Sequence, residues 1–261
     1  MALISLTDVG KNFRSREGRP WVAVADFTLA LEDGEFYCLL GPSGCGKSTI
    51  LSLLAGFTLP SAGRIELSGK SITGASRDRG VVFQGDDSLF PWLTALENVE
   101  FGLRLRGMNR RDRRDRAMQY LELVGLRGQE DKPPPELSGG MKQRVQIARA
   151  LANEPRILLM DEPFGALDAQ TRGGMQIELR RIWERMKVTV VFITHDIDEA
   201  IVLGTRVGVM TAGPGGTLKK TLAIEIPGDR NRADPRYSAL YEEIHGLVRA
   251  EVLRASARSA A

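Results

Sequence analysis

Phe36-Tyr37-Cys38-Leu39-Leu40-Gly41-Pro42-Ser43-Gly44-Cys45-Gly46-Lys47-Ser48 is the stretch from which the fold can be read. A short apolar run, sized for a buried strand, leads into a glycine-rich turn. Ser48–Ala55 then reads as a helix. The turn matches G-x-x-x-x-G-K-[ST], in which glycines let backbone N–H groups turn inward around phosphate oxygens. The helix that follows points the positive end of its dipole at the same place. In that setting Lys47 is expected to reach the β- and γ-phosphates of a nucleotide, and Ser48 to bind Mg²⁺.

Working outward, Leu3–Val9 and Trp21–Leu31 read as strands, and Glu32-Asp33-Gly34 is a turn before Phe36. Gly63–Leu67 and Val81–Gln84 are further short strands. Thr94–Leu105 and Arg111–Val124 carry Leu, Val and Met at helical spacing. Pro133-Pro134-Pro135 breaks the chain, and Ser138 opens a helix that runs through Leu151. Arg156–Met160 is a strand, Gln170–Met186 a helix and Val188–Thr194 a strand. This alternation implies a mainly parallel sheet covered by helices, with a helical insertion at about 88–150. Pro227-Gly228 and Asp234-Pro235 mark a linker near residue 226. Beyond it, Tyr237, Leu240, Tyr241, Ile244, Leu247 and Val248 share one helical face, which predicts a tail helix docked on the core.

The 261 residues are 43% hydrophobic and 26% charged, ordinary globular material with a net charge of only +3. No apolar run approaches the roughly 18–20 residues of a membrane helix. Met1–Gly10 lacks the basic start of a signal peptide, so the chain is expected to stay in the cytoplasm. Cys38 and Cys45 fit a reducing compartment, without a disulfide framework. The helix start beside Cys45 should favour its thiolate, while Cys38 should be buried in its strand. Arg104, Arg106, Arg110, Arg111, Arg113, Arg114 and Arg116 form a basic cluster interrupted by Asp112 and Asp115. It reads first as a solvated helix face. Contact with anionic lipid headgroups is the alternative. The absence of interleaved aromatics argues against nucleic acid.

Ile157-Leu158-Leu159-Met160-Asp161-Glu162 is an apolar strand ending in two carboxylates. Adjacent strand residues face opposite ways, so the two acids have different jobs. One reading gives Asp161 to the Mg²⁺ shell and makes Glu162 the general base for the attacking water. Val190-Val191-Phe192-Ile193-Thr194-His195 repeats the pattern, with His195 at a carboxyl strand end where ligands of open α/β sheets bind. Val81-Val82-Phe83-Gln84 likewise ends in an amide. Gln84 suits contact with Mg²⁺ or the water, and equally suits a plain loop position.

Leu137-Ser138-Gly139-Gly140-Met141-Lys142-Gln143-Arg144 supplies a second anion site, with Ser138 as N-cap and two glycines exposing N–H groups at a helix start. This octet resembles the signature of ABC-type ATPases, where it closes the nucleotide site of the opposite subunit. The likeness runs from about residue 1 to 225. It implies a P-loop α/β core with an antiparallel β part and an inserted helical subdomain, followed by a tail at 226–261. On the same resemblance Phe13 stacks on adenine, and Gly41, Pro42, Ser43, Gly44, Cys45, Gly46, Lys47, Ser48 and Thr49 form the phosphate loop. Gln84 is then the glutamine loop, Asp161 and Glu162 the metal-linked acid and the base, and His195 the switch histidine. Gly165-Ala166-Leu167-Asp168 crosses a dimer interface. The resemblance implies ATP and Mg²⁺, a second copy of the chain and two integral-membrane permease subunits. It also implies a periplasmic binding protein, and a place on the cytoplasmic face of the inner membrane.

A narrower likeness lies in Phe90–Val99, Met160–Asp168 and His195–Ala200, with a looser one in Gly213–Gly216. These are similar to the importer branch for taurine, aliphatic sulfonates and nitrate. Ala55-Gly56-Phe57-Thr58-Leu59-Pro60 tilts the expectation toward taurine or another sulfonate. Lys132-Pro133-Pro134-Pro135 departs from the usual connection before the signature.

Overall fold

A computed structural model describes residues 2–14, 18–85, 88–228 and 230–259. The first elements are β1 (Ile4–Arg14), β2 (Pro20–Leu31), β3 (Phe36–Leu40), α1 (Lys47–Ala55), β4 (Ala62–Leu67), β5 (Lys70–Ser71) and β6 (Arg79–Val82). Next come α2 (Ala95–Leu105), α3 (Arg110–Leu123), α4 (Gly139–Leu151), β7 (Ile157–Asp161) and α5 (Ala169–Met186). The last are β8 (Thr189–Ile193), α6 (Ile197–Leu203), β9 (Arg206–Met210), β10 (Leu218–Ala223) and α7 (Pro235–Ser259). They group into two compact units, Met1–Ser76 with Thr189–Ala261, and Arg77–Val188.

The first unit holds the expected antiparallel part, a sheet in the order β2-β1-β4-β5. Its second sheet is built on β3, which pairs in parallel with β8 on one side and β9 on the other. All five residues of β3 and all five of β8 are buried, which is why both read as unbroken apolar runs rather than alternating ones. β10 closes the edge antiparallel to β9.

In the second unit β6 and β7 pair in parallel, from Arg79 opposite Ile157 to Val82 opposite Met160. The ladder stops there, and Gly85 turns the chain at φ 83°. Gln84 therefore lies past the strand rather than on its last residue. α2, α3 and α4 pack on one another, and α4 on β6. Local chemistry sets each helix start. Thr94 and Glu97 form a reciprocal capping box on α2, and the Asn109 side chain caps α3. Asn98, fully buried, accepts from the Phe90 N–H at 2.9 Å and donates to the Phe90, Leu93 and Thr94 carbonyls. One amide thus folds residues 90–94 against α2, a physical reason for the Phe90–Val99 motif. Pro134–Glu136 forms a 3-10 turn before α4. On α3, Arg113 pairs with Glu100 at 3.1 Å and Arg116 with Glu154, while Arg110, Arg111 and Arg114 lie exposed. That exposure suits both a solvated face and contact with anionic headgroups.

The tail docks as expected. α7 packs on α6 and β9, and Tyr237 and Ile244 are buried on the predicted face. Among the described residues no helix is long and apolar enough to cross a membrane. Ile244 is fully buried, so Ile244→Ala is expected to cost about 2–4 kcal/mol. Chemical unfolding of the two proteins measures this, and a loss below about 1 kcal/mol would show the helix is not packed there.

Candidate active site

In the first unit the loop after β3 is held from within and from outside. The Lys47 ammonium is buried and donates to the carbonyls of Gly41 at 2.7 Å and Pro42 at 3.1 Å. It thus spans the turn that its own backbone ends. Gly46 takes φ 103°, and a Cβ there would lie 2.8 Å from the Ala23 carbonyl oxygen of β2. No other residue fits that position. Ser43, Gly44 and Ser48 are exposed, and Pro42, Gly46 and Thr49 are half-buried. The face offered to an anion is small and rich in backbone N–H groups.

Cys45 corrects one expectation. Its side chain is buried, with Sγ 4.0 Å from the Met210 sulfur. Burial pushes the thiol pKa up against the opposing pull of Lys47. The helix start does not win, because the sulfur points into the core instead of toward the anion face. Cys38 is buried, as expected.

Phe13 and His195 are the other candidates in this unit. Phe13 sits on β1, opposite Trp21 of β2. The two rings stack at 5.8 Å and 25°, and the Lys11 ammonium lies 5.0 Å from the Phe13 ring centre. This makes an exposed aromatic shelf with a cation beside it. His195 is exposed at the carboxyl end of β8. Its neighbours anchor it. The buried Thr194 hydroxyl donates to Glu199 at 2.6 Å and accepts from the Asp196 N–H at 3.0 Å. The Asp196 carboxylate caps α6 by accepting from the Asp198 and Glu199 N–H groups.

In the second unit β7 ends at Asp161, and Glu162 follows in the left-handed region at φ 41°. A non-glycine residue there is strained by about 1–3 kcal/mol and persists only where its surroundings enforce it. Here Pro163 and Phe164 are buried, and the Gly165 N–H closes the turn on the Glu162 carbonyl at 3.1 Å. The same turn reaches Gln84: a Cβ on Gly165 would lie 3.6 Å from the Gln84 side-chain nitrogen. The structure thus brings the Gln84 amide beside the turn that starts at Glu162. Two residues of α4 hold the strand-to-loop segment and were not anticipated. Gln146 donates to the Gly85 carbonyl at 2.8 Å, and Arg149 to the Ser88 carbonyl at 2.9 Å. Nothing local marks them, since their partners lie 61 positions away.

Ser138 is the N-cap of α4, its hydroxyl accepting from the Met141 N–H at 3.3 Å. Ser138 and Gly139 are exposed, while Gly140 is buried, with room for no Cβ beside Thr171 of α5. Asp168 caps α5 through the Gln170 and Thr171 N–H groups, both at 3.0 Å. Hydrogen bonds from Thr171, side chain first, hold its carboxyl below the ordinary range. An open cleft of about 390 Å³ lies elsewhere in this unit, lined by Phe83, Phe90, Phe101, Arg79, Arg149 and Asn153.

Ser48 in the first unit offers a hydroxyl oxygen, and in the second unit Gln84 offers an amide oxygen and Asp161 a carboxylate, all ligand types that a hard cation accepts. Mg²⁺ takes oxygen ligands and usually completes its shell with phosphate and water. Among the described residues no three His, Cys, Asp or Glu side chains gather to hold a metal by themselves.

The ABC transporter family model matches residues 24–165. The nitrate import ATP-binding protein of Synechocystis sp. is 46% identical over 255 residues, covering 94% of this chain and 95% of that protein. The taurine import ATP-binding protein of Sinorhizobium fredii is 46% identical over 244 residues, covering 91% of each. Among solved structures, a dimeric ATP-binding cassette in a post-hydrolysis state with ADP and Pi superposes with a TM-score of 0.73. It is 34% identical and covers 85% of this chain and 99% of that one.

The orientation of Cys45 has a direct consequence. In the folded protein its thiol should be alkylated more slowly than an exposed cysteine at neutral pH, and the rate should climb with pH as the thiolate forms. Mass spectrometry of iodoacetamide-treated protein measures this. Rapid stoichiometric labelling at pH 7 would place the sulfur on the anion face instead.

Proposed function

This chain belongs to the ABC transporter family, whose ATP-binding subunits hydrolyse ATP to drive transport, and we propose that it powers the import of a small anion, a sulfonate such as taurine. The importer reading is supported by the nitrate and taurine import subunits it resembles. Those two weigh equally at 46% identity. The Ala55–Pro60 likeness tips the balance toward a sulfonate.

One observation carries the catalytic reading: Glu162 is forced into a left-handed backbone at the end of the β7 strand, directly after Asp161. Strain of that kind concentrates at functional positions. Glu162 acts as the general base that takes a proton from the attacking water. Lys47 neutralises the β- and γ-phosphates before and during transfer. It can leave the Gly41 and Pro42 carbonyls for phosphate oxygens at little cost, exchanging neutral acceptors for anionic ones. Gln84 orients the water, and His195 is the switch residue for the γ-phosphate. Phe13 stacks on adenine, with Lys11 and Trp21 fixing its ring. The phosphate loop Gly41–Thr49 holds the phosphates. Ser48, Asp161 and Gln84 would hold Mg²⁺, which supplies positive charge to the transferring phosphoryl group.

Ser138, Gly139, Gly140 and Asp168 serve a second copy of the chain. The exposed start of α4 at Ser138 and Gly139 offers N–H groups to phosphate, Asp168 crosses the interface, and the related cassette with ADP and Pi is dimeric. Two integral-membrane permease subunits complete the machine on the cytoplasmic face of the inner membrane, and a periplasmic binding protein delivers the anion. The cleft beside Phe83 and Phe90 suits a permease segment, since apolar walls with Arg79 and Arg149 among them fit a helix that ends in carbonyl groups.

Glu162→Gln should keep ATP binding and lose turnover by about 10²–10⁴-fold. Phosphate release by the purified variant tests it, and turnover within about threefold of wild type would reject Glu162 as the base. Clean deletion of the gene should abolish growth on taurine or an alkanesulfonate as sole sulfur source. Unimpaired growth, with a new defect on nitrate as sole nitrogen source, would move the assignment to nitrate.

A further inference from the structure

The tail helix α7 carries one residue the periodic pattern passes over. Glu251 is 1% exposed and lies on the docked face, a carboxylate in an apolar stripe. It accepts from the Ala212 N–H at 3.0 Å, from Lys219 at 2.7 Å and from Arg254 at 2.7 Å. Burial alone would raise its pKa, but the Lys219 and Ala212 hydrogen bonds carry it below the ordinary value. A charge this deeply placed is costly unless fully paired, and here it is.

Ala212 begins the segment that underlies the phosphate loop. A Cβ on Gly213 would stand 2.6 Å from the Gly44 carbonyl oxygen, and one on Gly216 would stand 2.0 Å from that of Cys45. The Gly215 N–H donates to Val22 at 2.8 Å, and Gly216 accepts from Ala25 at 3.3 Å. β2 in turn supplies the Ala23 carbonyl that fills the space beside Gly46. Backbone lies on backbone without a side chain between, so any shift of Ala212 is passed to Gly44 and Cys45.

We propose that α7 buttresses the phosphate loop, with Glu251 as the positioning residue that holds Ala212 and the segment 213–216 beneath it. This rests on Gly41–Ser48 being the nucleotide site. Binding linkage is reciprocal: if the docked tail favours nucleotide, nucleotide must tighten the tail.

Hydrogen exchange of the full chain with and without ADP tests this in the wild type. ADP should slow exchange at residues 41–48 and also in 235–255, the latter by about threefold or more. Glu251→Met, which keeps the volume and removes the acceptor, should raise the Kd for ADP about five- to thirtyfold. Ile65→Ala, buried in the antiparallel sheet of the same unit, should leave that Kd within about twofold when compared at equal loss of Tm. Protection of 41–48 with α7 unchanged would overturn the proposal, and so would an equal weakening by Ile65→Ala. If Glu251→Met does not fold, the wild-type exchange decides. A wild type that fails to bind ADP at all would instead sink the nucleotide-site reading.

Discussion

A loop that offers its backbone N–H groups to phosphate can spend few of them on its own turn, and here the Cys45 N–H turns inward, to the Pro42 carbonyl at 3.3 Å. Its shape has to be imposed by what surrounds it. In this chain the imposition comes from several sides. The β3 strand is clamped between two parallel neighbours and delivers Gly41 at a set height. Lys47 bridges the Gly41 and Pro42 carbonyls. β2 crowds Gly46 so closely that only glycine fits. Each contact acts on carbonyl or Cα atoms and leaves the N–H face open.

The acids and amides follow the same logic at other strand ends. The β6–β7 pairing stops at Val82 and Met160, and the chain beyond each strand is held by side chains from elsewhere. Gln146 and Arg149 hold the segment past β6. Buried Pro163 and Phe164 hold Glu162 in its left-handed conformation. At β8 the acids of the His195–Ala200 motif are structural: Asp196 caps α6, Glu199 anchors Thr194, and Asp198 accepts from the Tyr237 hydroxyl at 2.6 Å. The histidine is the exposed member of a segment otherwise committed to holding still.

Much of this was legible from local chemistry. β3 and the helix after it, the N-cap at Ser138 and the apolar face of α7 need only neighbours within a turn or two. The edge strands β5 and β10, and β9 between β10 and β3, were not foreseen. β5 has two residues, and β9 and β10 depend on partners rather than on a strong pattern of their own. Gln84 lies in the loop beyond β6 instead of at the strand's end, because the ladder with β7 stops at Val82 and nothing local marks that stop.

The sequence by itself determined the chemistry on offer. G-x-x-x-x-G-K-S, the paired carboxylates and the S-G-G helix start are contiguous, so composition and spacing carry them. Only the tertiary structure decided which way each side chain faces and which charges are buried. Cys45 turns inward to Met210 because the loop lies against β9, and burial then outweighs the helix dipole. Glu251 is buried because Lys219 and the Ala212 N–H, 32 and 39 positions away, meet it there. Burial and pairing are properties of distant segments brought together, and no local window contains them.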